Sequence, residues 1–444
     1  MKSLTLLFLL AANLLFSQEF RLKENQKTSI SFQLINNLIF IPVTINGVQL
    51  TFLLDSGVSE TILFSLENKQ IDFKNTEKIT FTGLGGTREI QGLKASNNIV
   101  QIGKHFIDDQ HNLYLILDEE FNFSDHIGIP VNGIIGNQFF KNHAFKIDYI
   151  TQKITIYPDE KAVNKEISKN YQGFDISIEL NKPYIIADVE QTNTVTPSKL
   201  LIDLGNSDAM WLFPSLIPNF KYNRPNIEDY LGRGFNGDIY GKRSRIHSLR
   251  IGDYKVEKPL IAMPDEYSIQ HLKLVKDRKG SIGNDTFRRF SVLLDYPSKK
   301  IYLKKNKNFD EAFHFNMSGL DVKHDGMVWD KALVSIKKES NDSPNKVGSQ
   351  VYNESAALQY KFVLVPEFSV SGSREDSPAY KAGVRKGDKI LKVNNKSAKT
   401  MTLQKFRDLF MSEVGKTIKL EIERLGLIYI YNFTLEDPIP YQED

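Results

Sequence analysis

The sequence predicts a mainly β protein: two copies of one all-β unit, followed by a smaller α/β module. Three observations carry that prediction. Matching segments recur 147 to 149 residues apart across the first three hundred residues. Short apolar and β-branched runs alternate there with Gly and Asn punctuation. A different pattern, with an amphipathic helix and a hairpin, closes the chain.

With 444 residues, 41% hydrophobic and 25% charged, the chain has the length and composition of a globular protein with two to four cores. A net charge of +3 without a basic cluster argues against nucleic acid as a partner. Cysteine is absent, which excludes disulfides and thiolate catalysis. The chain opens "MKSLTLLFLLAANLLFSQEF", one lysine before an apolar run from Leu4 to Phe16. That run is short for a membrane span and suits a secretory signal, residues 1–17, cut before Gln18. The expected location is periplasmic or secreted, with no stable membrane span after the signal is removed.

The repeat is read from four matches in order. "VQIGKHFI" at 100–107 pairs with "LRIGDYKV" at 249–256, and "NGIIGNQFF" at 132–140 with "KGSIGNDTF" at 279–287. "FKIDYITQKITIY" at 145–157 pairs with "SVLLDYPSKKIYL" at 291–303, setting Asp148 opposite Asp295. "FLLDSGVSETILF" pairs with "LLIDLGNSDAMWLF" at 200–213, setting Asp55 opposite Asp203. Within each copy "IFIPVTI", "QLTFLL" and "KITIY" have strand composition or alternation. The copies divide the region into 18–160 and 161–305.

Asp55 and Asp203 each end a buried apolar run. Two such carboxylates at one junction share a proton, because like charges in close proximity push their pKa values apart. The pair can then take a proton from a water attacking a carbonyl and give one to the leaving amine. Gly57 and Gly205 allow backbone and substrate to approach closely. Asp148 and Asp295 precede turns and are expected to shape the two copies.

"FLLDSGVSETIL" resembles the catalytic turn of retropepsin-like aspartic proteases, in which apolar residues precede Asp-Thr/Ser-Gly. "GIIG" is similar to the apolar element that packs behind that turn, and "FTGLGGTREIQG" resembles the family's glycine-rich flap. "LGRGFNGDIYG" takes the corresponding place in the second copy. The resemblance covers about 285 residues and implies a bilobal, pepsin-like β-barrel aspartic protease fold in one chain. It implies Asp55 and Asp203 as the catalytic dyad, with Ser56, Gly57 and Gly205 supporting the catalytic turns. Gly83, Leu84, Gly85, Gly86 and, in the second flap, Gly234 would close over a polypeptide substrate. The chain departs from the pattern at Leu204, where the family has a second cross-bracing hydroxyl. Losing one such bond costs about 1 kcal/mol, or about 1–3 where a buried partner is left unpaired. A dyad misplaced by about 1 Å loses roughly a hundredfold in rate. Leu204 therefore keeps a second reading open, a peptide-binding scaffold that retains the cleft with weak or no cleavage.

Other chemistries are set aside. "GNSDA" lacks the glycine of a serine-nucleophile turn, and the eight histidines form no ligand motif, so neither metal nor cofactor is expected. "GLGG" lacks the Gly-Lys-Ser/Thr of a phosphate loop.

After Leu303 the polar "KKNKNFDEAF" reads as a linker into a module spanning 310–437. In "DSPAYKAGVRKGDKILKVNNKSAKTM" a cap at Asp376 or Ser377 precedes a helix starting at Pro378 and stopped by Gly383. "LQKFRDLFMSEVG" follows as an amphipathic helix, then "TIKLEIER" and "LIYIYNFTL" as a hairpin. This pattern resembles a bacterial PDZ domain, an α/β fold. The resemblance implies that Ser318, Gly319 and Leu320, in "MSGLDV", bind a peptide carboxylate, making protein C-termini the implied partners. Residues 338–357 read as a polar insertion. The whole predicts an exported aspartic endopeptidase with a PDZ domain, against which an adaptor acting mainly through the PDZ groove stands as a third reading.

Overall fold

The computed structural model describes residues 19–67, 69–82, 89–116, 121–191, 194–218, 220, 224–234, 237–269, 274–334 and 359–442. The expected signal (1–17), the flap residues Gly83, Leu84, Gly85 and Gly86, and the insertion 338–357 lie outside the described residues. The fold is mainly β. Two compact units divide it. One takes in the chain up to Ser124, then Ile129–Phe315 and the tail from Pro438; the other holds Asp125–Gly128 and Asn316–Asp437.

In the first unit the two sequence copies build equivalent strands. Leu38–Ile45 turns through Asn46 and Gly47, both at positive φ, into Val48–Leu54. An Asn-Gly pair is the turn that matches the twist of two antiparallel strands. Val48–Leu54 delivers the chain to Asp55. Gly133–Ile135 then runs parallel to Val48–Leu54 and antiparallel to Thr61–Leu63. The second copy repeats this: Arg278–Ile282 runs parallel to Thr194–Ile202 and antiparallel to Met210–Leu212. The glycines of the inserted strands are fixed by space. A Cβ on Gly133 would stand 2.3 Å from the Ile62 carbonyl oxygen, and one on Gly280 2.0 Å from that of Trp211.

A sheet through the middle joins the copies. Ala144–Asp148 pairs antiparallel with Phe290–Asp295, Lys146 opposite Leu293. Lys153–Tyr157 and Thr28–Ser31 extend it on one side, Lys300–Lys305 and Gln172–Glu179 on the other. Asp148 accepts hydrogen bonds from the amides of Ile150 and Thr151, and Asp295 from that of Ser298, so these repeated aspartates do shape turns.

Two buried arginines hold the segment after the last strand of this sheet, and the tail. Arg289 is 0% exposed. It donates to the carbonyls of Asp285 and Glu311 and stacks 3.6 Å over Phe313. Burial lowers its pKa to about 10, leaving it charged at neutral pH. Arg245 donates to the carbonyls of Ile439 (2.8 Å) and Phe313 (3.1 Å). Ile439 is 0% exposed within the main core, and Tyr441 bonds His247 at 3.0 Å under the Arg224 guanidinium.

In the second unit Leu320–Val334 pairs with Gln359–Ser373, and the sheet continues through Lys389–Val393 to the hairpin Thr417–Arg424/Leu427–Thr434. Ser377 caps the helix Pro378–Ala382, and Gly383 at φ +113° ends it. The helix Leu403–Phe410 buries Leu403, Phe406 and Phe410 against Phe368, Val370 and Ile390. It is shorter than the amphipathic pattern to Gly415: Met411 leaves helical geometry, and Gly415 turns the chain at φ +84°. Among the described residues no helix is long and apolar enough to cross a membrane.

Because the tail contributes a core side chain, Ile439→Ala is expected to lower the stability of the first unit by about 2–4 kcal/mol. Urea unfolding followed by Trp211 fluorescence in a Trp329→Phe background reads this, and an unchanged midpoint would contradict it.

Candidate active site

Asp55 follows Val48–Leu54 and Asp203 follows Thr194–Ile202, at equivalent ends of the two copies. Their amides are fixed alike: Asp55 N–H donates to the Ile135 carbonyl and Asp203 N–H to that of Ile282, each at 3.0 Å. The Gly57 amide donates to Asp55 Oδ1 at 2.7 Å. A Cβ on Gly57 would lie 3.1 Å from an oxygen of each carboxylate, so both acids line one point. A Cβ on Gly205 would lie 2.2 Å from Asp55 Oδ2, which no side chain can do. The structure thus gathers Asp55, Asp203, Gly57 and Gly205 into one cluster.

Ser56 completes it. Its fully buried hydroxyl donates to the Ile202 carbonyl at 2.6 Å and accepts from the Leu204 amide at 3.0 Å, a brace across the copies. Leu204 supplies no return brace and packs in the core. Its carbonyl is held instead by Asn284 Nδ2 at 2.6 Å, and Tyr149 from the first copy donates to Asn284 Oδ1 at 2.6 Å. That chain gives the second turn a cross-copy anchor in place of the missing hydroxyl. The mirror pair differs, for Asn137 Oδ1 and Tyr296 OH are buried without hydrogen-bond partners among the described residues. Two outer links add to the brace, Asn37 Nδ2 to the Ser207 carbonyl at 3.1 Å and Ser59 Oγ to that of Leu180 at 3.4 Å.

The electrostatics follow from this enclosure. Burial, then the neighbouring Asp203, pushes the Asp55 carboxyl up to about 7. Burial also raises Asp203, against the opposing pull of Arg278 and Lys182. Both carboxyls are thus raised, Lys182 pulling on each and Arg278 on Asp203, and the pair holds one shared proton. Burial and the Arg278 charge lower Lys182, and burial lowers Arg278.

Hairpins stand at both expected flap positions. Thr76–Thr82 pairs with Glu89–Ile102, and Ile227–Gly234 with Gly237–Arg245, Gly234 opposite Gly237 at its end. Arg243 ties the second hairpin to the Asp203 turn, bonding Asp229 at 2.6 Å and Asp208 at 2.8 Å. Trp211 Nε1 donates to the same Asp208 at 2.7 Å.

In the other unit, Ser318, Gly319 and Leu320 form a tight turn with Gly319 at φ +76°. Its amides are engaged within the loop: those of Ser318 and Gly319 donate to Asn316 Oδ1 (3.1 and 3.2 Å), that of Leu320 to Ser318 Oγ (3.1 Å).

Residues 41–139, which contain Asp55 and its turn, match the family described as "Aspartyl protease"; residues 369–424 match the "PDZ domain" family. The chain carries an aspartyl protease domain and a PDZ domain. It is 25% identical over 171 residues to the carboxy-terminal processing protease CtpA of Bacillus subtilis, covering 38% of this chain and 34% of that one. It is 35% identical over 102 residues to the retrovirus-related Pol polyprotein from transposon 412 of Drosophila melanogaster, covering 23% of this chain and 7% of that one. The chain thus spans about a third or less of the length of these curated relatives.

Sequence reasoning missed Asn284, Tyr149, Lys182 and Arg278. For the first two the signal was present, because Asn137/Asn284 and Tyr149/Tyr296 are part of the repeated segments. Also missed was a polar chain from Thr61 Oγ1 to His111 (2.7 Å) to Asp108 (2.8 Å). It resembles a nucleophile relay, but all three residues are buried, and it joins two strands instead of meeting a substrate. Among the described residues no group of His, Asp and Glu is placed to hold a metal.

A carboxyl raised from 3.8 to about 7 on folding stabilises the native state fully below pH 4, and that contribution is lost as pH rises to about 7. Asp55→Asn is therefore expected to be more stable than wild type at pH 8, by roughly 2–4 kcal/mol. The difference should vanish near pH 3.5 in paired thermal melts; a variant less stable than wild type at pH 8 would contradict the shift.

Proposed function

We propose that the protein is an exported aspartic endopeptidase in which Asp55 and Asp203 activate a water for attack on a peptide bond. The observation that carries this is the placement of both carboxylates around one point, each on an equivalent turn and bridged by Ser56. Asp203 takes the proton of the attacking water. Asp55 gives its proton to the oxygen of the carbonyl; Asp203 then passes its proton to the leaving nitrogen as the C–N bond breaks, and Asp55 recovers a proton from a hydroxyl of the gem-diol. No covalent intermediate forms. The two hairpins hold the substrate as an extended strand within a pepsin-like pair of lobes.

Export rests on the apolar run Leu4–Phe16 followed by Ser17 and implies a mature N-terminus at Gln18 in the periplasm or outside the cell. N-terminal sequencing of the exported protein reads it. The non-cleaving scaffold drew its support from Leu204. The bonds that Ser56 and Asn284 make to the Leu204 backbone support the cleaving reading against it.

Cleavage of an unbiased peptide library by the mature chain from pH 3 to 8 is the test. Activity should fall as pH rises through about 7, where the shared proton is lost, and drop by at least a thousandfold in both Asp55→Asn and Asp203→Asn. Unchanged activity in either variant, or no cleavage by a folded wild type, would contradict the proposal.

We assign to the PDZ domain the capture of peptide chain ends by the loop at Ser318–Leu320, with a strand added along Leu320–Val334, which lies at the edge of its sheet. An incoming carboxylate must displace Asn316 Oδ1 from the loop amides. Asn316→Ala should thus tighten binding of free-acid peptides several-fold, by fluorescence anisotropy, with no gain for the C-terminal amides. Equal gains for both would contradict the assignment.

A further inference from the structure

The two copies of the protease domain share one strand plan, so each position has a counterpart. In the first copy Phe40 faces Leu53, and the same register carried two residues on sets Leu38 beside Asp55. In the second copy Tyr184 faces Leu201, and the same step sets Lys182 beside Asp203. Likewise Val131 stands two residues before Gly133, and Arg278 two before Gly280. Where the first copy has a leucine and a valine, the second has two cations. The scaffold does not demand them, since its other half is built without them.

Neither cation is neutralised in the ordinary way. Lys182 is half-buried and makes no ion pair or side-chain hydrogen bond among the described residues. Arg278 donates to the Gly280 carbonyl at 3.1 Å, shares a hydrogen bond with the buried Tyr184 hydroxyl, and lies 5.4 Å from the Phe213 ring. No carboxylate reaches ion-pair distance of it among the described residues. Buried charges are normally paired. The nearby dyad, holding one shared proton, offers a single negative charge to two positive ones. The surplus is one cation near enough to act on the dyad.

We propose that Lys182 and Arg278 form a carboxylate-binding subsite next to the dyad, so that the preferred substrate bears a carboxylate close to the bond that is cut. This rests on the dyad reading of Asp55 and Asp203. The Arg278 fork, fixed by Tyr184 and the Gly280 carbonyl, supplies directed donors, and Lys182 supplies a point charge. At the equivalent register position of the first copy stands Leu38, which is apolar, so the two positive charges lie on the Asp203 side alone. The carboxylate has two possible sources, an Asp or Glu side chain or the C-terminus of the substrate chain.

The test uses the full mature chain and peptides matched except for Glu against Gln at each position around the cut, made as C-terminal acids and amides. Expected is at least a tenfold higher kcat/KM for a carboxylate at one position. If Glu over Gln carries the preference the side chain is the ligand; if acid over amide does, the terminus is. Lys182→Met and Arg278→Gln should each shrink the ratio several-fold, Arg278→Lys should restore part of it, and Lys182→Glu should shift preference toward basic residues. Binding of the same peptides to Asp55→Asn by fluorescence anisotropy reads the ratio without turnover. A retained binding ratio with no cleavage by wild type would count against the dyad reading while supporting the subsite. Cleavage with equal rates across every matched pair, or a preference that survives in the Lys182→Met/Arg278→Gln double variant, would overturn the subsite and leave the dyad reading standing.

Discussion

Two carboxylates brought together away from water cannot both ionise, and the protease domain is organised around that constraint. Desolvation and mutual repulsion raise Asp55 to about 7, a cost that falls on the folded state. The structure meets it with the Gly57 amide on Asp55, the Ser56 hydroxyl bridging the two turns, and the longer-range charges of Lys182 and Arg278. The carboxylates come this close to the two turns because Gly57 and Gly205 have no side chain.

Duplication is how the chain reaches this arrangement. One unit places an aspartate at the end of one buried strand; two, joined through Ala144–Asp148 and Phe290–Asp295, place the aspartates face to face. The symmetry is then broken around the second turn. Ser56 has no hydroxyl counterpart at Leu204, and the anchor moves to the Tyr149–Asn284 chain. Leu38 and Val131 are answered by Lys182 and Arg278. Both changes act on the second turn. An asymmetric field of this kind makes unlike two carboxyls that a symmetric pair would leave equivalent.

What could be read from the amino-acid sequence followed from local signals. The strands "IFIPVTI" and "QLTFLL", the apolar run into Asp55 and the Ser377-Pro378 to Gly383 helix are encoded within a few residues, and all stand where the sequence places them. The repeat supplied the pairing of Asp55 with Asp203 and the turn-shaping role of Asp148 and Asp295. Lys182 was invisible because its relation to Asp203 arises from strand register across a hairpin, and nothing in "NKPYII" announces it. The helix from Leu403 was read too long, since its apolar spacing continues past the point where the backbone turns at Met411. The tail, with Ile439 in the core of a unit that ends its main body at Phe315, is a long-range contact that no window could contain.

The central claim is that Asp55 and Asp203 titrate as one coupled pair. Carbon-13 NMR of the aspartate carboxyl carbons, with Asp55 assigned by its loss in Asp55→Asn, tests it most directly. The account predicts that the Asp55 signal titrates near pH 7 in wild type and moves down in Asp203→Asn, while staying above 3.8 because burial persists. An Asp55 signal that titrates near 4 in wild type, or that ignores the removal of Asp203, would contradict it.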